Sequence, residues 1–275
     1  MARPVDNSRL ANVRVRVFAG VPMALLGVAV IVAGGYIFSL AILVLSVLMI
    51  WEWNGLCLDG APKFGAIVIS AVGVTVGVAA IVGLPTALAT LAIAVPLTWL
   101  FVRTFGGRSS WAAFGVVYVS IPCLAVIWLR ATSPLGFETV IWLVMVVCAT
   151  DIGAYFVGTM IGGPKLAPTI SPNKTWSGLL GGILCAAAVG AVTGLVLGLV
   201  NILLLSVIGA VVAAVAQSGD FFESFVKRRF DASDSSQLIP GHGGVLDRVD
   251  GLLAVLPLAA GAKLLLVGGS FWPWR

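Results

Sequence analysis

The sequence predicts an all-α, polytopic integral membrane protein with about nine transmembrane helices and a cytoplasmic N-terminus. Of its 275 residues, 60% are hydrophobic and only 10% are charged, and the mean hydropathy is +1.12. This composition excludes an ordinary soluble domain. Because unpaired backbone groups are costly in lipid, apolar runs of this length favour helices, and the weak alternation typical of a membrane β-barrel is absent.

Nine apolar segments are long enough to cross a hydrocarbon core about 30 Å thick as helices. Pro96 interrupts the fourth, and charged residues lie at or near the ends of the sixth, eighth and ninth. The predicted spans are 17–34, 36–54, 64–83, 86–102, 111–129, 137–160, 176–200, 202–226 and 248–269.

Basic residues predict the orientation, since they are enriched in cytoplasmic loops. Four arginines precede the first span, and counting alternately from a cytoplasmic N-terminus places all but three of the 16 Lys and Arg residues inside. The net charge of +5 then matches anionic lipid headgroups, so nucleic acid is not needed as a partner. We expect a multi-pass protein of the inner, cytoplasmic membrane. The three exceptions are Arg130, Lys263 and Arg275.

The two halves of the chain differ in polarity, which predicts a scaffold of helices at 1–136 and a catalytic region at 137–275. In the first half, Glu52 and Asp59 are interpreted as residues of a solvated loop, and Trp51 and Trp53 as an interfacial aromatic belt. Acidic residues at membrane depth usually face a cavity, a partner or an ion. Seven of the eleven acidic residues follow residue 150: Asp151, Asp220, Glu223, Asp231, Asp234, Asp247 and Asp250.

The loop "GGPKLAPTISPNKTWSGLLGG", residues 162–182, is a candidate polyphosphate clamp on the cytoplasmic side. Its prolines exclude a regular helix, and its lysines, hydroxyls and backbone supply charge and hydrogen-bond donors. A basic loop with turn prolines explains the same composition, and the P-loop pattern is missing. The candidate binding residues are Lys165, Ser171, Lys174 and Thr175.

The end of the eighth span places Asp220, Glu223 and Lys227 on one helical face at i, i+3 and i+7, beside Arg228 and Arg229. Glu223 and Lys227 also fit a simple i,i+4 ion pair. A simple ion pair does not explain Asp220 as easily, because Asp220 continues directly from the apolar part of the eighth span.

The stretch "IPGHGGVLDRVDG" opens the ninth span and holds the chain's one histidine, His242. Asp247 and Asp250 share one face of the first turn, and the amides of Gly243 and Gly244 can approach an anion as a nest does. Carboxylates beside phosphate-binding amides suit Mg²⁺, whereas a zinc site is disfavoured. A helix cap alone explains one of the two aspartates.

Two long gapped motifs resemble the phosphatidate cytidylyltransferase family, also called CDP-diacylglycerol synthases. They are "DIGAYFVGTMIGGPKLAPTISPNKTWSG", residues 151–178, and "SFVKRRFDASDSSQLIPGHGGVLDRVD", residues 224–250. The matching positions are Asp151, Ala154, Tyr155, Gly158, Gly162, Lys165, Leu166, Ser171, Pro172, Lys174, Thr175 and Gly178 in the first, and Ser224, Lys227, Arg228, Asp234, His242, Gly243, Gly244, Asp247, Arg248 and Asp250 in the second.

The resemblance implies that CTP and phosphatidate react to give CDP-diacylglycerol and pyrophosphate, a step of phospholipid biosynthesis. We predict that carboxylates hold Mg²⁺ and a second cation such as K⁺, that basic residues neutralise the phosphates, and that His242 orients a phosphate or a carboxylate. The predicted metal ligands are Asp151, Asp220, Asp247 and Asp250, and the predicted phosphate contacts are Lys165, Lys174, Lys227, Arg228, Arg248 and the Gly243 and Gly244 backbone, with Ser171, Thr175 and Asp234 beside them.

The chain departs from the family pattern at three positions. Ser233 stands where a lysine is usual, Ser236 where a glycine is common, and Ser177 where Glu or Gln is usual. The missing lysine is expected to weaken binding of the CTP phosphates unless Arg229 or another cation substitutes for it.

Two other functions remain open at the level of sequence: a CTP-dependent lipid kinase and a membrane transporter with an intramembrane carboxylate site. A transporter predicts polar residues in both halves and near the midplane, whereas here they cluster at one face of the second half. The expected partners are CTP, phosphatidate and membrane lipid, with a homodimer as a candidate assembly and no nucleic acid.

Overall fold

The computed structural model describes residues 7–58, 62–132, 135–198, 201–239, 241 and 243–265, with the side chains of 7–19, 62 and 63 outside this description. Within these residues the chain forms nine α-helices and one antiparallel hairpin. The helices are α1 (Asn7–Ala33), α2 (Gly35–Cys57), α3 (Pro62–Ile81), α4 (Leu84–Thr104), α5 (Ser109–Ala131), α6 (Gly136–Ile161), α7 (Trp176–Val196), α8 (Ile202–Arg229) and α9 (Leu246–Leu265), and the strands are β1 (Lys165–Ala167) and β2 (Ser171–Thr175).

The predicted all-α, polytopic membrane fold is confirmed, although the count of nine spans is not exact. Each predicted span overlaps one helix, and seven of the described helices, α2 to α8, are long and apolar enough to cross a membrane. In α1 the described apolar stretch is the shorter Gly20–Ala33. The ninth helix carries Asp247, Arg248, Asp250 and Lys263 within 20 residues, which lowers its hydropathy.

The proline-containing loop between α6 and α7 forms a hairpin that the sequence did not predict. Lys165 pairs with Thr175, and Ala167 pairs with Ser171. Its prolines at 164, 168 and 172 fall outside these paired positions, so they exclude a helix without preventing strand pairing. The hairpin leads directly into α7, where Thr175 accepts a hydrogen bond from the Gly178 amide at 3.1 Å and caps the helix.

An aromatic cluster joins the two halves of the chain at α2, α5 and α8. The Trp53 indole donates a hydrogen bond to the Trp111 carbonyl at 3.0 Å, and its ring lies 5.2 Å from that of Tyr118. Phe222 of α8 contacts Tyr118 at 5.4 Å. The interpretation of Trp53 as an interfacial residue is therefore wrong, since Trp53 is only 1% exposed, whereas Trp51 on the other side of α2 is 51% exposed.

Candidate active site

A cavity of about 900 Å³ lies between α6, the hairpin, α7, α8 and α9. The two sequence motifs, far apart along the chain, line it together. Four carboxylates, three cations and a hydroxyl among the predicted site residues reach this cavity: Asp151, Asp220, Asp247, Asp250, Lys165, Lys174, Arg248 and Thr175. Because opposite charges share one polar cavity, the site suits a ligand that carries both phosphates and bound cations.

The hairpin and α8 meet at the ion pair of Lys174 and Asp220, where the ammonium lies 2.5 Å from a carboxylate oxygen. The same ammonium lies 4.0 Å from the centre of the Phe221 ring. Ser224 donates a weaker hydrogen bond to Asp220 at 3.4 Å. This arrangement holds a hairpin cation at the wall of the cavity, within reach of an anionic ligand.

Asp247 is the most heavily hydrogen-bonded of the cavity carboxylates. Its Oδ1 lies 2.6 Å from the Lys227 ammonium, and its Oδ2 accepts from the Ser235 amide at 2.9 Å, the Ser235 hydroxyl at 2.8 Å and the Gly244 amide at 2.8 Å. Lys227 also lies 3.6 Å from the Glu223 carboxylate, in the i,i+4 arrangement that the sequence allowed as an alternative. Asp247 therefore orders the loop before α9 in addition to facing the cavity.

Asp250 and Glu223 lie near a close contact between α8 and α9. A Cβ atom at Gly219 would lie 2.6 Å from the Asp250 carbonyl oxygen, so only glycine allows this approach. The Asp250 carboxylate accepts from the Gly251 amide at 2.7 Å. Glu223 is 2% exposed, and neither of its carboxylate oxygens has a hydrogen-bond partner among the described residues. The Lys227 ammonium, 3.6 Å away, supplies the opposite charge beside this buried carboxylate.

The other predicted site residues that the structure describes do not line the cavity. Arg228 donates to the carbonyls of Ile170 and Ala232 at 3.4 Å and 3.1 Å, which ties α8 to the turn of the hairpin. Asp234 is exposed, and Ser171 lies in β2. Gly243 has a φ of +77° and pairs with Ile239 in a β-bridge. His242 lies outside the described residues.

Each of the three serines that depart from the family pattern donates a hydrogen bond. Ser233 donates to Asp234 at 3.0 Å, Ser236 donates to Glu52 at 2.6 Å, and Ser177 donates to the Gly162 carbonyl. The candidate substitute for the missing lysine, Arg229, lines a different cavity of about 440 Å³ beside Arg108 and Phe230.

The chemistry of the cavity suits Mg²⁺, which binds hard oxygen ligands and usually takes one or two carboxylates together with substrate phosphates. Asp151, Asp220 and Asp250 supply such oxygens at the cavity lining. Across the described part of the chain, no three His, Cys, Asp or Glu side chains converge on one point. The residues therefore fit a cation shared with phosphates better than one enclosed by protein ligands alone.

Sequence reasoning missed Glu52, because an acid beside two tryptophans was interpreted as part of a solvated loop. Glu52 lies within α2, is 1% exposed, and accepts four hydrogen bonds from the loop and helix of the second motif. Its position inside a segment of high hydropathy was the available signal, since a charge there requires partners. The partners themselves follow only from the tertiary structure.

Comparison with known proteins supports the two-motif resemblance over nearly the whole chain. The chain is 36% identical over 262 residues to the phosphatidate cytidylyltransferase of Brucella suis, which covers 95% of each protein. It is 39% identical over 241 residues to the protein of that name from Pseudomonas aeruginosa, covering 82% of this chain and 87% of that one. A model of the cytidylyltransferase family matches residues 14–265. The chain belongs to the cytidylyltransferase family.

Proposed function

We propose that the chain transfers CMP from CTP to phosphatidate and releases CDP-diacylglycerol and pyrophosphate. The observation that carries this proposal is the single cavity in which Asp220, Asp247 and Asp250 lie together with Lys165, Lys174 and Arg248. Its relatives named phosphatidate cytidylyltransferases support the choice of substrates. The activity places the chain in phospholipid biosynthesis.

The reaction is an in-line displacement at phosphorus. An oxygen of the phosphatidate phosphate attacks the α-phosphorus of CTP, a new P–O bond forms, and the bond to the bridging oxygen of the β-phosphate breaks as pyrophosphate leaves with that electron pair. Charge is spread over phosphate oxygens throughout, so positioning and neutralisation of charge account for catalysis. The mechanism needs no nucleophile from the protein.

The basic residues of the site neutralise or position different charged groups, depending on the element that carries them. Lys165 and Lys174 extend from the hairpin and neutralise the CTP phosphates, while Arg248 in the first turn of α9 faces the same cavity. Lys227 keeps Asp247 in place through their 2.6 Å contact. Of the two glycines predicted to cradle phosphate, Gly244 donates its amide to Asp247 instead, so in this proposal it orders the loop before α9.

Asp220 and Asp250, with Asp151 at the cavity wall, are the residues that hold Mg²⁺ in this proposal, and K⁺ is the candidate for a second cation. The bound cation supplies Lewis-acid neutralisation of the phosphate oxygens. Asp247 lines the same cavity and also orders the loop before α9, because its oxygens accept hydrogen bonds from Lys227, Ser235 and Gly244. His242 is assigned an orienting role and no role as a general base.

The lipid tails enter between helices, and the phosphate stays at the cytoplasmic interface, where CTP reaches it. The positive-inside pattern supports this orientation in the inner membrane. The gathering of the charged cavity residues on α6, α8, α9 and the hairpin argues against a transporter, whose site is expected at the interface of repeats near the midplane. A CTP-dependent lipid kinase differs in its product, a phosphorylated lipid without CMP.

The test is an assay of the purified protein in detergent with labelled CTP, phosphatidate and Mg²⁺. We expect CDP-diacylglycerol and pyrophosphate, loss of the rate with EDTA, and a fall of kcat by about a hundredfold or more in Asp220→Asn and Asp250→Asn. Glu138→Gln, at an exposed acid in the first turn of α6, is the matched control and keeps its rate. A labelled lipid phosphate without CMP identifies the kinase, and full activity of both aspartate variants refutes the metal assignment.

A further inference from the structure

Glu52 connects the first half of the chain to the loop that precedes α9. Its Oε1 accepts from the Ser236 hydroxyl at 2.6 Å and from the Val245 amide at 2.8 Å. Its Oε2 accepts from the Leu246 amide at 2.8 Å and from the Ser235 hydroxyl at 3.3 Å. Both oxygens of a carboxylate that is 1% exposed are thus satisfied by one short segment of the second motif.

The position of this carboxylate is favourable for physical reasons. Val245 and Leu246 form the N-terminus of α9, where amide groups have no partner within the helix. A negative charge placed there also complements the partial positive charge of the helix end. Glu52 of α2 therefore caps the N-terminus of α9, a different helix of the same chain. Its four hydrogen-bond donors offset the free-energy cost of burying the carboxylate.

Glu52 and Asp247 hold the same segment from opposite sides. The Gly244 amide donates to Asp247, whereas the next two amides along the chain donate to Glu52. The Ser235 hydroxyl lies between the two acids, 2.8 Å from Asp247 and 3.3 Å from Glu52, so both carboxylates share its single proton. A Cβ at Gly244 would meet the Glu52 carboxylate at 2.5 Å, so glycine is required there.

The cavity residues of α9 depend on this arrangement. Asp247, Arg248 and Asp250 all lie within five residues of the Leu246 amide that Glu52 holds, so a shift of the helix start moves all three. We propose that Glu52 is a positioning residue of the active site, which sets the place of the first turn of α9 against the hairpin and α8. The first half of the chain then supplies part of the catalytic site in addition to a scaffold.

This inference rests on the proposed function, and its test uses the same assay. Glu52→Gln keeps the side-chain shape but puts an NH₂ group opposite hydroxyl or amide donors and removes the charge. We measure the KM for CTP and the Mg²⁺ concentration that gives half the maximal rate. Neither constant depends on the fraction of protein that is folded, so a merely structural role leaves both unchanged.

We expect both constants to rise by about tenfold in Glu52→Gln, the effect typical of residues that orient metal or phosphate ligands. The control Glu138→Gln leaves both unchanged. Ser236→Ala removes the shortest of the four hydrogen bonds to Glu52, together with the bond that the Leu238 amide donates to the same hydroxyl at 3.1 Å, and we expect a rise of about threefold.

Unchanged constants in a folded Glu52→Gln protein overturn the inference. If Glu52→Gln does not elute as a folded species in size-exclusion chromatography, the same two constants are measured for Ser236→Ala. Unchanged constants in Ser236→Ala then overturn the inference. An unmutated protein that makes no CDP-lipid refutes the proposed function instead, so the two failures are distinguishable.

Discussion

At the scale of single residues, Lys227 is the cation that balances the acids behind the cavity. Its ammonium lies 2.6 Å from Asp247 and 3.6 Å from Glu223, and its side chain is 13% exposed. Such a group is worth more than a surface ion pair, because removing it leaves buried carboxylates without their counter-charge. We expect Lys227 to stabilise the contact between α8 and α9 through these two ion pairs.

We therefore expect Lys227→Met to lower the free energy of unfolding by about 3 kcal/mol and to reduce CMP transfer. Denaturant titration in micelles measures the free energy of unfolding, and the CTP assay measures CMP transfer. Arg229→Met, an exposed cation two residues further along α8, is the control. Adding Asp247→Asn to Lys227→Met is expected to recover part of the stability but none of the activity. Equal stability of Lys227→Met and Arg229→Met contradicts this account of the ion pair.

At the scale of elements, the cavity depends on close packing of α6, α7 and α8 through glycines. A Cβ at Gly182 would lie 2.8 Å from both the Thr150 carbonyl of α6 and the Gln217 amide nitrogen of α8. Gln217 donates from that amide to the Leu179 carbonyl at 3.2 Å and also lines the cavity. Small residues thus let three helices approach closely enough for their polar groups to meet at one end.

We expect Gly182→Val to destabilise the protein by about 2 kcal/mol through overpacking. Gly77→Val in α3 is the matched control, since a Cβ there meets no atom within 4 Å. The thermal unfolding midpoint in detergent compares the two. A midpoint of Gly182→Val equal to that of Gly77→Val contradicts the close approach of the three helices.

At the scale of the whole molecule, the orientation in the membrane is a prediction that a labelling experiment tests. In a background with the four cysteines at 57, 123, 148 and 185 replaced, single cysteines are placed at Ser233, after α8, and at Thr132, after α5. We expect a membrane-impermeant maleimide to label the Thr132 variant in cells with a permeabilised outer membrane, and the Ser233 variant only after lysis. The reverse pattern refutes a cytoplasmic active site.

The sequence by itself determined the membrane-spanning character, the place of each helix and the two motifs of the family. Hydropathy depends on local composition, and the common face of Asp220, Glu223 and Lys227 follows from the period of a single helix. The hairpin was not predictable in the same way, because strand pairing depends on the partner strand as much as on the residues themselves.

Only the tertiary structure decided which partner each charged group has. Lys174 contacts Asp220 from a different element, and Glu52 accepts from Ser235, 183 residues further along the chain. Local pattern placed Glu52 in a solvated loop, whereas the packing of α2 against the start of α9 buries it and supplies its donors. The environment of a charge depends on contacts between distant segments, so the sequence indicates that such a residue needs partners, and the fold decides which ones.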